Sequence, residues 1–127
     1  MQVYKIMART DWDMAQKSGF YAGAPIDIED GFIHFSTAEQ AQETAEKHFF
    51  GQTDLMLVAV DASHYGADMK WEASRGGALF PHLYGAFDMA SVTWARAMIT
   101  GDDGVPMLPA LHDNKTSKST AETRGSA

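Results

Sequence analysis

The 127-residue chain is 45% hydrophobic and 21% charged, contains no cysteine, and carries a formal net charge of −7 at pH 7. That length gives one domain with a single core and excludes a two-domain enzyme, while the missing cysteines exclude disulfides, thiolate nucleophiles, iron–sulfur clusters and thiolate zinc sites. Residues 1–114 hold 7 Lys/Arg against 16 Asp/Glu, a balance that repels a phosphate backbone, so nucleic acid is disfavoured as a partner.

Val3, Tyr4 and Ile6 suggest a first strand, and Thr10 with Asp13 three residues later predicts a helix start, with Lys17 and Gly19 marking its end. Phe20 to Asp30 holds Gly23, Pro25 and three acids and reads as a loop; Gly31 then leads into a strand from Phe32 to Phe35. Ser36 and Glu39 are spaced as a capping box for a second helix, whose apolar stripe is Ala38, Ala41, Ala45 and Phe49 and whose stop is Gly51. Leu55 to Val60 is an unbroken apolar run, the pattern of a strand covered on both faces and central in its sheet. Met69 to Glu72, Phe80 to Tyr84 and Ser91 to Ile99 are later strands.

Lys115 to Ala127 has no large apolar side chain and is expected to be a disordered tail, leaving 1–114 as the globular domain. No run approaches the roughly 20 apolar residues of a membrane-spanning helix, and Met1-Gln2-Val3-Tyr4-Lys5 lacks the order of a signal peptide. The expectation is a cytoplasmic protein with no membrane partner; no feature of the sequence sets an oligomeric state. Two early helices followed by strands predict an α+β fold of small mixed, mostly antiparallel sheets.

Three segments carry polar groups suited to chemistry. In Gly31-Phe-Ile-His-Phe-Ser-Thr37, alternation puts Phe32, His34 and Ser36 on one face, just ahead of a capped helix whose free N–H groups attract anions. As plain packing, His34 is a half-buried residue bonded to a neighbouring strand. In Trp71-Glu-Ala-Ser-Arg-Gly-Gly77, Glu72 and Arg75 flank a flexible stretch, and the planar fork of Arg75 suits a phosphate; the plainer role for Arg75 is a surface ion pair. In Phe80-Pro-His-Leu-Tyr-Gly85, His82 and Tyr84 share a strand face, and Pro81 suggests an edge or a strand start. The five histidines, His34, His48, His64, His82 and His112, show no metal-ligand spacing, so no metal is expected.

The segments Val3-Tyr-Lys-Ile6, Asp30-Gly-Phe-Ile-His-Phe-Ser-Thr-Ala-Glu-Gln40, Asp54 to Asp61 and Trp71-Glu through Phe80-Pro-His-Leu-Tyr-Gly85, which span nearly all of residues 2–109, together resemble the small bacterial and plant family called domain of unknown function 952. More distantly, the order strand, helix, loop, Gly-Phe-Ile-His-Phe-Ser-Thr, helix, apolar strand is similar to the NAD-binding half of the ADP-ribosyltransferase fold. That second resemblance implies a nucleotide cleft between two small sheets, with NAD as cofactor or substrate. It implies that His34 stacks on nicotinamide with Ser36 and Thr37 as support. Lys5 stands where the superfamily presents His or Arg, and His82 where it often presents a catalytic Glu, for which Glu72 is the nearby substitute.

The resulting expectation is a cleft lined by His34, Ser36, Arg75, His82 and Tyr84 that binds NAD or a related phosphorylated small molecule. Any catalysis is transfer or hydrolysis at the nicotinamide–ribose bond. The alternatives are a non-catalytic binding module and a metal-dependent hydrolase using His34 and His82.

Overall fold

The computed structural model describes residues 1–74 and 76–111. Strand β1 (Gln2–Ala8) leads into helix α1 (Arg9–Ser18), the short strand β2 (Phe20–Tyr21), helix α2 (Pro25–Asp30) and strand β3 (Ile33–His34). Helix α3 (Ala38–His48) and strands β4 (Leu55–Asp61), β5 (Met69–Ala73) and β6 (Leu79–Leu83) follow. The described chain ends with β7 (Phe87–Asp88), β8 (Val92–Ala97), β9 (Ile99–Thr100) and β10 (Pro106–Met107). The fold is therefore α+β, and every strand pair among the described residues is antiparallel.

Two three-stranded sheets dominate, ordered β1-β4-β8 and β3-β6-β5. The apolar run of β4 lies in the middle of the first, where both of its faces are covered: Leu57, Val58, Ala59 and Val60 are all fully buried. Alternation along β1 divides the core. Tyr4 and Ile6 pack with Leu55, Leu57 and Ala45 beneath α3, while Val3 and Met7 pack with Ile33, Leu83 and Phe87 from the other side. Lys5 shares the second face and so points its ammonium into the interior between the sheets. A bridge between Tyr4 and Ser36 joins β1 to the chain leaving β3, through N–H···O bonds of 2.8 and 2.9 Å.

Several local expectations are corrected. Helix α1 begins at Arg9 rather than under a Thr10 cap, and its N-cap, Ala8, offers no side-chain acceptor. Tertiary partners take over there: the Arg9 N–H donates to the Asp54 carbonyl at 2.9 Å, and its guanidinium pairs with Asp13 and Asp54. The stretch read as a loop contains β2 and α2. Pro25 suits the first helical position, and Asp27 reaches back to accept the Ala24 N–H at 2.7 Å. The early helices accordingly number three among the described residues, not two.

The capping box of α3 lies one residue later than its sequence spacing suggests. Thr37 accepts from the Gln40 N–H and the Gln40 side chain accepts from the Thr37 N–H, because the backbone of Ser36 is already engaged with Tyr4. Pro81 lies in the central strand β6, not at an edge; its carbonyl accepts from the Phe35 N–H at 2.9 Å, a bond that needs no proline donor. The late strand read as 91–99 is split into β8 and β9 at Met98, whose N–H donates to the Leu55 carbonyl and whose side chain is buried. The tail expected over 115–127 lies outside the described residues, as does His112.

Candidate functional site

Strand alternation sorts the β3-β6-β5 sheet into an apolar and a polar face. Ile33, Leu83 and Met69 are partners across the three strands and lie in the core. The next position along places His34, His82 and Lys70 in one row on the opposite face, with Glu72 and Tyr84 beside them. The rings of His34 and His82 meet edge to face at 5.4 Å. Phe32 stacks on His82 at 4.1 Å and touches Tyr84 at 5.2 Å, so the row is flanked by an aromatic surface.

Asp27 is the hub behind His34. Its side chain is 1% exposed, and Lys5 lies 3.0 Å from Oδ2. Oδ1 is 2.6 Å from His34 Nδ1 and accepts the His34 backbone N–H at 3.1 Å. Burial alone would push the Asp27 carboxyl up; Lys5, the His34 ring and the Ala24 N–H outweigh it, and the group is held below the usual carboxylate value. Burial pulls the Lys5 ammonium down from its ordinary value, with Asp27 opposing. His34 Nε2 lies 2.9 Å from Asp30. An ionised carboxylate only accepts, so both ring contacts are hydrogen bonds at once only while both nitrogens carry protons. Gly31, at φ 87°, turns α2 into β3 and brings Asp27, Asp30 and His34 within reach of one another.

The second centre is Glu72. His82 Nδ1 lies 2.8 Å from Glu72 Oε1, and the Tyr84 hydroxyl donates to both carboxylate oxygens at 2.9 and 3.1 Å. These donors, His82 first, hold the Glu72 carboxyl below its ordinary value, while the same bond pushes the Tyr84 phenol up. Glu72 therefore stays ionised through the neutral range. By holding Nδ1–H it leaves Nε2 of His82 as the basic nitrogen, with no protein partner among the described residues. His82 itself is buried and Tyr84 is 40% exposed, so the group lies at the surface with its imidazole sunk into the sheet.

The sequence candidates thus divide. His34, Glu72, His82 and Tyr84 come together. Lys5 is buried behind them and reaches His34 only through Asp27. Ser36 is also buried, its hydroxyl 2.9 Å from that of Thr44, and Thr37 caps α3. The face shared by Phe32 and His34 therefore does not extend to Ser36, whose chain has turned to pair with β1. Arg75 lies outside the described residues.

Asp27, Asp30, Phe32 and Lys70 belong to the constellation and were not singled out by sequence. Alternation already put Phe32 on the face of His34 and Lys70 on that of Glu72, and the Asp30/His34 spacing of four falls across a helix end rather than within a helix. Beside the row, a cleft of about 270 Å³ is lined by Asp27, Ile28, Phe32 and Ala86, so Phe32 borders both the cleft and the polar face. The Tyr21 hydroxyl is buried without a partner among the described residues, and burial pushes its ionisation up. Among the described residues no cluster of three His, Asp or Glu is placed to hold a metal ion, and no helix is long and apolar enough to cross a membrane.

No curated protein matches the chain. The crystal structure of Protein CC0527 from Caulobacter crescentus is similar, with a TM-score of 0.82 and 50% identity over 84% of this chain and 94% of that one. Its solution NMR structure gives a TM-score of 0.75 and 51% identity over 83% and 90% of the two chains. The family described as "Protein of unknown function (DUF952)" matches residues 6–95. This chain belongs to that family.

Proposed function

We propose that the polar face of the β3-β6-β5 sheet binds NAD or a related phosphorylated nucleotide and promotes transfer or hydrolysis at its nicotinamide–ribose bond. The observation that carries this reading is the Glu72–His82 pair: an ionised carboxylate fixes Nδ1–H of an imidazole whose Nε2 has no partner among the described residues and lies beside an aromatic surface. In that role Nε2 accepts a hydrogen bond from a ribose hydroxyl, and Glu72 behind it stabilises the positive charge that develops on the sugar as the bond to the ring nitrogen breaks. Phe32, Tyr84 and the exposed part of His34 supply the surface on which a planar ring stacks. The ADP-ribosyltransferase-like arrangement belongs to this same reading, and its support is the order of elements and the Gly-Phe-Ile-His-Phe-Ser-Thr segment.

Titration calorimetry with NAD, ADP-ribose and a 2′-phosphorylated dinucleotide tests the binding step, and heat is expected from at least one. Absence of heat from all three would remove the reading. Chromatography of an NAD incubation tests the chemical step by released nicotinamide. A non-catalytic binding module is the second reading, favoured by the exposure of Glu72 and Tyr84, which leaves water at the bond to be broken. Binding without nicotinamide release identifies it.

A further inference from the structure

The proposed ligand carries phosphate, and an anion needs a donor on the same face. Arg75 was the sequence candidate for that role. Among the described residues, Lys70 is the one lysine or arginine of β3, β5 and β6. It is the ladder partner of His82, which is in turn the partner of His34, so the three side chains form a single row across the sheet. Neighbouring strands lie about 4.8 Å apart, which puts Lys70 one strand away from the basic Nε2.

Lys70 is exposed and makes no ion pair within 4 Å among the described residues. The nearest carboxylate on its face, Glu72, has its oxygens taken up by His82 and Tyr84. The Lys70 ammonium lies 5.7 Å from the centre of the Tyr84 ring. His82 is the ladder partner of Lys70 and the Tyr84 ring lies beside its ammonium, so a phosphate carried on the sugar of a ring stacked on Phe32 and Tyr84 comes within the sweep of the lysine.

We infer that Lys70 anchors the phosphate of the ligand, and that the unit this face recognises is a mononucleotide, one ring, one sugar and one phosphate laid along the Phe32/Tyr84, His82 and Lys70 groups. The inference rests on the nucleotide reading given above. It assigns the anion to a compact, strongly hydrated ammonium rather than to a fixed guanidinium fork, so the contact discriminates by charge more than by shape.

The test compares two probes that differ only in the phosphate, nicotinamide mononucleotide and nicotinamide riboside, titrated into the full chain and into Lys70→Gln. The substitution is on an exposed strand position, and thermal unfolding confirms that the variant is folded. Loss of one charge-assisted contact is expected to weaken mononucleotide binding about tenfold and to leave riboside binding unchanged. Lys70→Arg is expected to recover most of the loss. Equal affinity of Lys70→Gln and the parent chain for the mononucleotide, or an equal loss for both probes, overturns the assignment to Lys70 while the nucleotide reading stands. No binding of either probe by the parent chain overturns both.

Discussion

Asp27 Oδ1 and His34 Nδ1 lie 2.6 Å apart, across the junction of α2 with β3, and this contact links the interior of the protein to its polar face. One partner is buried and tied to Lys5, the other is a third exposed and reaches Asp30. The position of His34 at the surface therefore depends on an ion pair in the core.

Removing the charge of Asp27 leaves the Lys5 ammonium without its partner in a buried place. Asp27→Asn is expected to cost about 3–5 kcal/mol in denaturant unfolding. Lys5→Met, which leaves Asp27 with the His34 and Ala24 donors, is expected to cost less. The reverse order would mean that the Asp27 hub does not hold this region together.

The pH dependence follows from the same group. Asp27 titrates lower in the folded chain than in the unfolded one, where a carboxyl of its kind has a value near 3.9. Its stabilising contribution is present above that unfolded value and is lost as the pH falls through the folded one. Lys5 has the same sign in alkali: with its folded value below 10.5, the unfolded chain binds more protons between the two values, so stability again rises with pH there. Unfolding free energy measured from pH 2 to 6 is expected to drop at the acid end, and less steeply in Asp27→Asn. Identical acid slopes for both proteins would contradict the assignment.

The reassigned cap gives a stability test away from the site. Thr37→Ala removes the side-chain acceptor for the Gln40 N–H and is expected to cost about 1 kcal/mol, whereas Glu39→Ala is expected to stay within about 0.5 kcal/mol of the parent. A larger cost for Glu39→Ala than for Thr37→Ala would favour the box at Ser36 and Glu39.

Much of this architecture was legible from residue pattern. The unbroken run Leu55 to Val60 announced a central strand because neither of its faces could meet water, and β5 and β6 fell within a residue or two of their expected ranges. Alternation also placed His82 with Tyr84. What pattern could not supply was pairing between distant segments. The meeting of His34 with His82 depends on the β3–β6 ladder, the cap moved from Ser36 to Thr37 because Tyr4 claims the Ser36 backbone, and α2 forms because Asp27 closes onto Ala24. Asp27 read as one acid among three in a loop; its burial beside Lys5 is a tertiary fact with no periodic signature.

Glu72 offers a readout of its role that does not depend on knowing the ligand. Long-range nitrogen-15 spectra of neutral His82 are expected to show the proton on Nδ1, held by Glu72, and Glu72→Gln is expected to disturb that preference while changing unfolding free energy by less than about 0.5 kcal/mol. A proton found on Nε2 in the parent chain would remove the basic nitrogen on which the proposed chemistry depends.

The most direct measurement is an NAD titration followed in amide and side-chain NMR spectra of the full chain. The account predicts shifts centred on Phe32, His34, Lys70, Glu72, His82 and Tyr84, with the opposite face of the sheet, at Ile33 and Leu83, changing little. Saturating NAD that leaves these resonances in place, or that moves only residues of α1 and β8, would contradict it.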